Sequence, residues 1–295
     1  MKIAFVGASG YGNIGDDTYP LVFAEQLPAH ELEFYNSDLP RSLPDNLDMI
    51  VIGGGGVVHN SGAEPEESES HHFRCMRFYM DAAIERGIPW GFLSCGFQFQ
   101  AQREAAYARS HKPWVPYLQR ASFITLRSRE CVRIACEISG RTDAQFFPDA
   151  AYLFHPAGER EQDQPDGVTI VPAGQVNLHD VLTNHYLRQF AASGIPVTWL
   201  SMGAKVDDGR MLEEAAQRFP ESRIITADPV TAFRCIAASR LVMTGRYHGM
   251  VFSRISRVPF ITPINVPYKM RHEDYDAPVA SAAGHFEVLR RFIGG

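Results

Sequence analysis

Residues 241–249, LVMTGRYHG, contain the side chains best suited to chemistry in this chain. A short apolar run ends at Thr244, and Arg246 and His248 follow at the expected start of a helix. A helix N-terminus offers unpaired N–H donors and a positive dipole end, which favour an anion. Arginine can make a two-pronged contact to a carboxylate or phosphate, and histidine can act as a general acid near neutral pH. We therefore expect Arg246 to bind an anionic substrate and His248 to be catalytic.

A second candidate is the glycine-rich stretch 7–17, GASGYGNIGDD, which follows the first apolar run. Its glycines, Gly15 among them, let the backbone approach a ligand, and Asn13 and Asp16 stand just before an expected helix. A tight turn with an aspartate cap explains the same pattern without a ligand. The spacing is not G-x-G-x-x-G, which argues against dinucleotide binding. We expect Asn13 and Gly15 to contact substrate and Asp16 to act as a base.

Four consecutive glycines open the stretch 53–60, GGGGVVHN, after a buried strand predicted to end at Ile52. Two interpretations stay open, because such a run allows close backbone approach to a ligand but also forms a bulge or hinge. Gly54 and Gly55 are candidate substrate-binding residues on the first interpretation. His59 fits better as a polar packing residue than as a ligand.

Two further cations follow expected strands. Arg127 comes directly after the strand 122–126, and Lys269 follows the last strand in VPYKMR. The carboxyl ends of parallel strands are where ligands gather, so both are candidate substrate-binding residues. Taken singly, each is better explained as a surface cation, Arg127 pairing with a neighbouring glutamate and Lys269 being solvated.

The acidic stretch 64–72, EPEESESHH, matches no zinc-ligand spacing, and we predict a mobile, solvated loop there rather than a metal site. The chain has no G-x-S-x-G elbow, Walker loop or H-E-x-x-H motif. Hydrolase and NTPase functions therefore lose support.

These candidates need a scaffold that places strand ends together, and short β-branched runs alternating with amphipathic stretches predict one. In the first half we expect strands at 2–6, 31–35, 48–52, 89–94, 122–126 and 144–147, with helices at 18–26, 73–86, 101–110 and 129–138. In the second half we expect strands at 168–171, 196–200, 223–226, 241–244 and 259–264, with helices at 181–193, 209–219, 230–238 and 285–293. The polar stretch 155–167 reads as a linker. We predict an α/β fold of two Rossmann-like doubly wound lobes facing a cleft (GT-B-like), with domains 1–154 and 168–295.

Composition narrows the function classes. The 295 residues carry a formal charge of -6, with 45% apolar and 21% charged residues, which is typical of a globular protein and argues against nucleic-acid binding. Five cysteines without a C-x-x-C pair indicate reduced thiols. There is no secretory signal pattern and no apolar run long enough to span a membrane. We expect a cytoplasmic protein, with peripheral membrane contact as an open alternative.

Taken together, these motifs resemble the polysaccharide pyruvyl transferase family. The resemblance covers nearly the whole chain and rests on G-x-G-N-x-G-D, the glycine run, the arginine at 127, P-D-A at 148–150, T-G-R-x-H and the closing lysine. It implies a GT-B-like fold, phosphoenolpyruvate as donor, no metal or organic cofactor, and a sugar or lipid-linked glycan acceptor. It also implies donor recognition by Arg127, Arg246, His248 and Lys269, with the acceptor on the 1–154 side and the donor on the 168–295 side.

The sequence departs from the family pattern in three places. Arg127-Ser128-Arg129-Glu130-Cys131 stands where the family often has R-D-x-x-S, Asp17 stands where it often has Glu, and Lys269 directly follows Tyr268. The acceptor, the oligomeric state and the choice between a ketal and an enolpyruvyl ether product stay open.

The resemblance implies a mechanism in which cations hold the donor, His248 protonates its methylene carbon, and Asp16 takes the proton of the attacking hydroxyl. A GT-B glycosyltransferase that uses a nucleotide sugar is the main alternative, disfavoured because no acidic ribose-binding pair is evident in the second half. A non-catalytic protein that binds an anionic metabolite is the other.

Overall fold

The computed structural model describes residues 1–37, 39–60, 69–98, 111–156, 166–173, 181–203, 206–262 and 268–294. The chain packs as two compact units. The first comprises Met1–Gly10, Tyr19–Phe154 and Tyr268–Gly295, and the second comprises Tyr11–Thr18 and His155–Pro267. Each unit is built on its own parallel sheet, which confirms the predicted fold class.

In chain order the described strands are β1 (Lys2–Gly7), β2 (Glu31–Asn36), β3 (Met49–Val58), β4 (Trp90–Phe97), β5 (Phe123–Leu126), β6 (Gln145–Phe146), β7 (Val168–Val171), β8 (Val197–Ser201), β9 (Arg223–Thr226), β10 (Leu241–Thr244) and β11 (Phe260–Ile261). The described α-helices are α1 (Thr18–Gln26), α2 (His71–Arg86), α3 (Val115–Arg120), α4 (Arg129–Ser139), α5 (Val181–Ala192), α6 (Val206–Arg218), α7 (Pro229–Ala237), α8 (Tyr247–Ile255), α9 (Tyr268–Arg271) and α10 (Gly284–Ile293). The helix expected at 101–110 and most of the expected linker lie outside the described residues.

The first unit has the strand order β2-β1-β3-β4-β5-β6, with all described pairings parallel. Its central strands β3 and β4 are buried at every position, because helices cover both faces of such a sheet. Their core partners include Tyr79 of α2 and Trp114, both fully buried.

The second unit has the strand order β11-β10-β7-β8-β9, also parallel. Its core packs around Trp199 of β8, with Leu187 of α5 and Leu212 and Ala215 of α6 beside it. Because its strands are parallel, the residues that follow them lie at one edge of the sheet.

The glycine run is part of β3, which continues to Val58 instead of ending at Ile52 as expected. Gly54 and Gly55 have φ values of +79° and +89°, and the pairing with β4 is irregular between Gly55 and Val58. A Cβ added to Gly54 would lie 2.5 Å from Cγ of Tyr19. These features match the bulge interpretation, and the close approach that Gly54 permits is to the ring of Tyr19. Substrate contact by Gly54 and Gly55 stays a prediction.

The acidic stretch 64–72 is only partly described, since 64–68 lie outside the described residues. The loop prediction is wrong at its end, where the Ser70 side chain caps α2 by accepting from the N–H of Phe73. His72 lies in the first turn, and its Nε2 donates to the carbonyl of Val57 at 2.8 Å. A serine N-cap before an apolar periodic run was the missed signal.

The C-terminal segment belongs to the first unit, whereas the expected second domain runs from 168 to 295. Phe286 of α10 packs edge-on against Phe23 of α1 with ring centroids 5.6 Å apart. The hydroxyl of Tyr152 donates to Glu273 at 2.8 Å. The sequence of α10 shows an apolar face, but it does not show which sheet that face covers.

His285 of α10 is a buried titratable group in the first unit. Its Nε2 donates to the carbonyl of Pro148 at 2.9 Å, and its Nδ1 lies 2.8 Å from the hydroxyl of Thr125. Burial lowers the pKa of His285 to about 4, although the nearby Asp149 carboxylate opposes the change. The folded protein therefore holds this imidazole neutral at neutral pH.

We predict that His285 makes the fold less stable as pH falls from about 6.5 to about 4. The unfolded chain binds a proton at this residue in that range and the folded chain does not, so stability rises with pH there. Between pH 7.5 and 5 the loss should be about 2 kcal/mol. Urea unfolding at both pH values measures it.

In His285→Gln this part of the pH dependence should disappear, whereas substitution of the exposed His185 by Gln should leave it intact. Equal pH dependence in the wild type and His285→Gln would contradict a buried neutral imidazole.

Candidate active site

The second unit brings most of the predicted site residues together. Its segment Tyr11–Thr18 carries Asn13, Gly15 and Asp16, and the start of α8 carries Arg246 and His248. Asn13 forms an antiparallel bridge with Gly203, and the N–H of Ile14 donates to the carbonyl of Met202 at 3.0 Å.

These contacts lie just after β8, whereas Arg246 and His248 come just after β10. Since β7 alone separates the two strands in the sheet, both groups lie at its carboxyl edge.

The imidazole of His248 lies beside the carboxylate of Asp16. The side chain of His248 is buried, and its Nδ1 lies 3.9 Å from Oδ1 of Asp16. The other carboxylate oxygen, Oδ2, accepts from the amide of Asn13. A histidine that takes up a proton here gains a carboxylate within Coulombic reach. Asn13, predicted to contact substrate, thus has a described partner within the protein.

Gly15 makes the approach of this segment to His248 possible. A Cβ at residue 15 would lie 2.1 Å from Nδ1 of His248 and 2.5 Å from its Cβ. No real side chain fits there without displacing the imidazole or the segment. The glycine predicted to contact substrate therefore has a packing role against the catalytic candidate.

Arg246 is the N-cap residue of α8, and its backbone N–H donates to the hydroxyl of Thr244 at 3.0 Å. Its Nε donates to the carbonyl of Pro172 at 3.2 Å, and its Nη2 pairs with Oδ1 of Asp208. Asp208 is fully buried, while the Arg246 side chain is 27% exposed. Asp208 is not among the residues predicted from the sequence, where the available signal was an acidic residue following β8 at the same sheet edge.

Arg127 lies in the first unit as one partner of a buried ion pair. Its side chain is 3% exposed, and its Nη1 lies 3.0 Å from Oδ2 of the fully buried Asp149. Asp149 also accepts from the hydroxyl of Tyr19 and from the N–H of Ala151, each at 2.9 Å. From the sequence, Arg127 is predicted to bind substrate, and Asp149 and Tyr19 are not among the predicted site residues. The P-D-A motif was the available signal for Asp149.

Lys269 lies on the short helix α9 of the first unit. Its side chain is outside what the structure describes, so its role stays a prediction. In the described part of the chain, no three His, Cys, Asp or Glu side chains are grouped to hold a metal ion. Among the same residues, no helix has the length and apolar character needed to cross a membrane.

We predict that Asp149→Asn lowers the free energy of unfolding by about 3 kcal/mol or more, because it removes the negative charge that pairs with the buried Arg127 guanidinium. Asp143→Asn is the matched control, since Asp143 pairs with Arg141 but is 63% exposed, and it should cost under about 1 kcal/mol. Urea denaturation measures both. Similar losses in the two variants would show that burial does not distinguish the pairs.

We predict that Gly15→Ala displaces His248 and destabilises the protein by about 1 to 3 kcal/mol, as overpacking does. Gly209→Ala is the control, because a Cβ there meets nothing within 4 Å. This substitution should stabilise α6 by up to about 1 kcal/mol. Thermal unfolding and the ¹⁵N resonances of the His248 imidazole report the two effects. Unchanged His248 resonances in Gly15→Ala would refute the predicted clash.

Comparisons with known proteins support the fold described above and identify the family of the chain. No curated protein sequence matches the chain. The UDP-N-acetylglucosamine 2-epimerase of Rickettsia bellii superposes with a TM-score of 0.59 at 9% identity, over 99% of this chain and 96% of that chain. The Methanocaldococcus jannaschii UDP-GlcNAc 2-epimerase, solved with UDP-GlcNAc and UDP, gives 0.54 at 11% identity, over 98% and 92%.

These identities show the fold alone, and that fold is GT-B-like. A sequence profile of polysaccharide pyruvyl transferases matches residues 12–266, which include the Asp16 segment, Arg246 and His248. The chain therefore belongs to the polysaccharide pyruvyl transferase family.

Proposed function

We propose that this protein transfers a pyruvyl group from phosphoenolpyruvate to hydroxyls of a sugar or glycan-precursor acceptor and releases phosphate, as a step in polysaccharide biosynthesis. The observation that carries the proposal is the grouping of Asp16, Arg246 and His248 within one unit of a family member. This set supplies a carboxylate, a cation and an imidazole at one sheet edge, which are the groups that the transfer needs.

Arg246 is our candidate for donor binding. Its Nε and Nη2 are engaged by Pro172 and Asp208, and among the described residues none engages Nη1. The side chain is partly exposed, so the remaining donors can meet a carboxylate or phosphate oxygen. We propose that Arg127 and Lys269 assist donor recognition, on the basis of the family motif alone.

His248 is the proposed general acid. Its imidazolium gives a proton to the methylene carbon of the enol, and positive charge develops at the carbon that bears the phosphate. A hydroxyl of the acceptor attacks that carbon, and Asp16 takes the hydroxyl proton. The bond from carbon to phosphate oxygen then breaks, a second hydroxyl closes a cyclic ketal, and the proton of that hydroxyl leaves with the released phosphate.

Two contacts of Asp16 support the part proposed for it in this scheme. Its Oδ2 is held by the amide of Asn13, and its Oδ1 is the oxygen nearest to His248. A proton taken up by Asp16 therefore lies beside the imidazole of His248, which must be reprotonated before the next turnover. We propose that the reaction needs neither a metal nor an organic cofactor and takes place in the cytoplasm.

A nucleotide-sugar transferase is the second candidate, and the observation in its favour is the shared fold. The Methanocaldococcus jannaschii relative was solved with UDP-GlcNAc and UDP. A guanidinium and a helix N-terminus also suit a diphosphate, so fold and charge alone do not decide between the two donors.

We predict that phosphoenolpyruvate stabilises the protein and that UDP-GlcNAc does not. At a hundredfold excess over Kd, a ligand specific for the native state adds about 2.7 kcal/mol. For a chain of this length the melting temperature should rise by roughly a few degrees. Inorganic phosphate should give a smaller rise, because it lacks the carboxylate.

Phosphate release from phosphoenolpyruvate with sugar acceptors completes the test. His248→Gln should abolish phosphate release but still be stabilised by phosphoenolpyruvate. The control His185→Gln, at an exposed histidine, should keep both phosphate release and this stabilisation. Stabilisation by UDP-GlcNAc without any by millimolar phosphoenolpyruvate would favour the glycosyltransferase. Donor binding without release for any acceptor would favour a binding protein.

A further inference from the structure

Asp208 stands out among the described acidic residues of the second unit because it is fully buried at the sheet edge where the site residues lie. A carboxylate loses several kcal/mol of hydration on burial unless a partner compensates it. Its Oδ1 accepts from Nη2 of Arg246, the proposed donor-binding residue. The buried charge is thus linked to a side chain that is itself partly exposed.

The surroundings fix Arg246 at several points. Nε is held by the carbonyl of Pro172, and the backbone N–H is held by the hydroxyl of Thr244. Gly203 leaves room for the pair, because a Cβ there would lie 2.5 Å from Nη2 of Arg246 and 3.0 Å from Oδ2 of Asp208. A planar guanidinium held at both Nε and Nη2 has one orientation, so its other N–H donors point in fixed directions.

We propose that Asp208 is a positioning residue, which orients the Arg246 guanidinium toward the anionic group of the donor. The inference rests on the proposed function for the identity of that anion. Asp208 acts through Arg246 and does not contact the donor. Its negative charge by itself opposes anion binding, so orientation and charge have opposite effects on affinity.

This opposition makes the test decisive. If orientation dominates, Asp208→Ala weakens binding of phosphoenolpyruvate and inorganic phosphate. If charge dominates, the same variant binds both anions more tightly. Asp208→Asn keeps an oxygen that can accept from Nη2 of Arg246 and removes the charge. If orientation dominates, Asp208→Asn should therefore lose less affinity for these anions than Asp208→Ala.

We predict that Asp208→Ala raises the KM for phosphoenolpyruvate and its Kd by about tenfold or more, a loss typical of a displaced binding group. Calorimetry gives Kd and phosphate release gives KM and kcat. Glu213→Gln, which removes an exposed charge from the same helix, should match the wild type. Equal or tighter anion binding in both Asp208 variants would overturn the proposal.

A double-mutant cycle separates positioning from general damage. In an Arg246→Ala background, Asp208→Ala should cause no further loss of affinity, because its effect passes through the arginine. An additional loss of the same size would show that Asp208 acts elsewhere. If Asp208→Ala does not fold, Asp208→Asn is compared with the wild type and with Arg246→Lys in the same assays.

The proposed function and this inference can fail separately. A wild type that binds neither phosphoenolpyruvate nor phosphate rejects the function. The orientation of Arg246 is then followed without a ligand, through the ¹⁵N relaxation of its Nε–H group. This group should be rigid in the wild type and mobile in Asp208→Ala, and equal mobility in both would reject the positioning role.

Discussion

Pairing of a fully buried aspartate with an arginine that follows a strand is the interaction on which both units depend. In the first unit it joins Asp149 to Arg127, and in the second it joins Asp208 to Arg246. Neither carboxylate is tolerable in a dry interior without its cation. Each pair consequently fixes the path of the chain just after a strand, where a parallel sheet places its functional residues.

The two pairs differ in what they leave accessible. Arg127 is 3% exposed and joins a network in which Asp149 also accepts from Tyr19, and Tyr19 in turn packs over Gly54. Ser94, with a φ of +53°, accepts from the N–H of Ala150 in the same region. A non-glycine residue holds such a backbone conformation only where its surroundings enforce it. Arg246 is 27% exposed, so its pair keeps a surface that a ligand can reach.

The sequence was sufficient for the alternation of strands and helices and for the position of Arg246 and His248 directly after a strand. These features are local, because hydrophobic periodicity and strand-end position determine them. It was insufficient for long-range pairing. Asp149 and Asp208 are ordinary acidic residues in the sequence, and only the fold shows that each meets an arginine. The sequence likewise does not show that the ring of Tyr19 occupies the space beside Gly54, which a side chain at that position would need.

The segment Tyr11–Thr18 belongs to the second unit, although the residues before and after it belong to the first. It brings Asp16 to His248, which lies more than two hundred positions further along the chain. The site is therefore not a module that recombination can transfer with the second half alone. A hybrid gene joined near residue 155 would combine Asp16 and His248 from different parents, and the fit of residue 15 against the imidazole would have to survive the exchange. The proposed catalytic pair therefore depends on both halves of the gene.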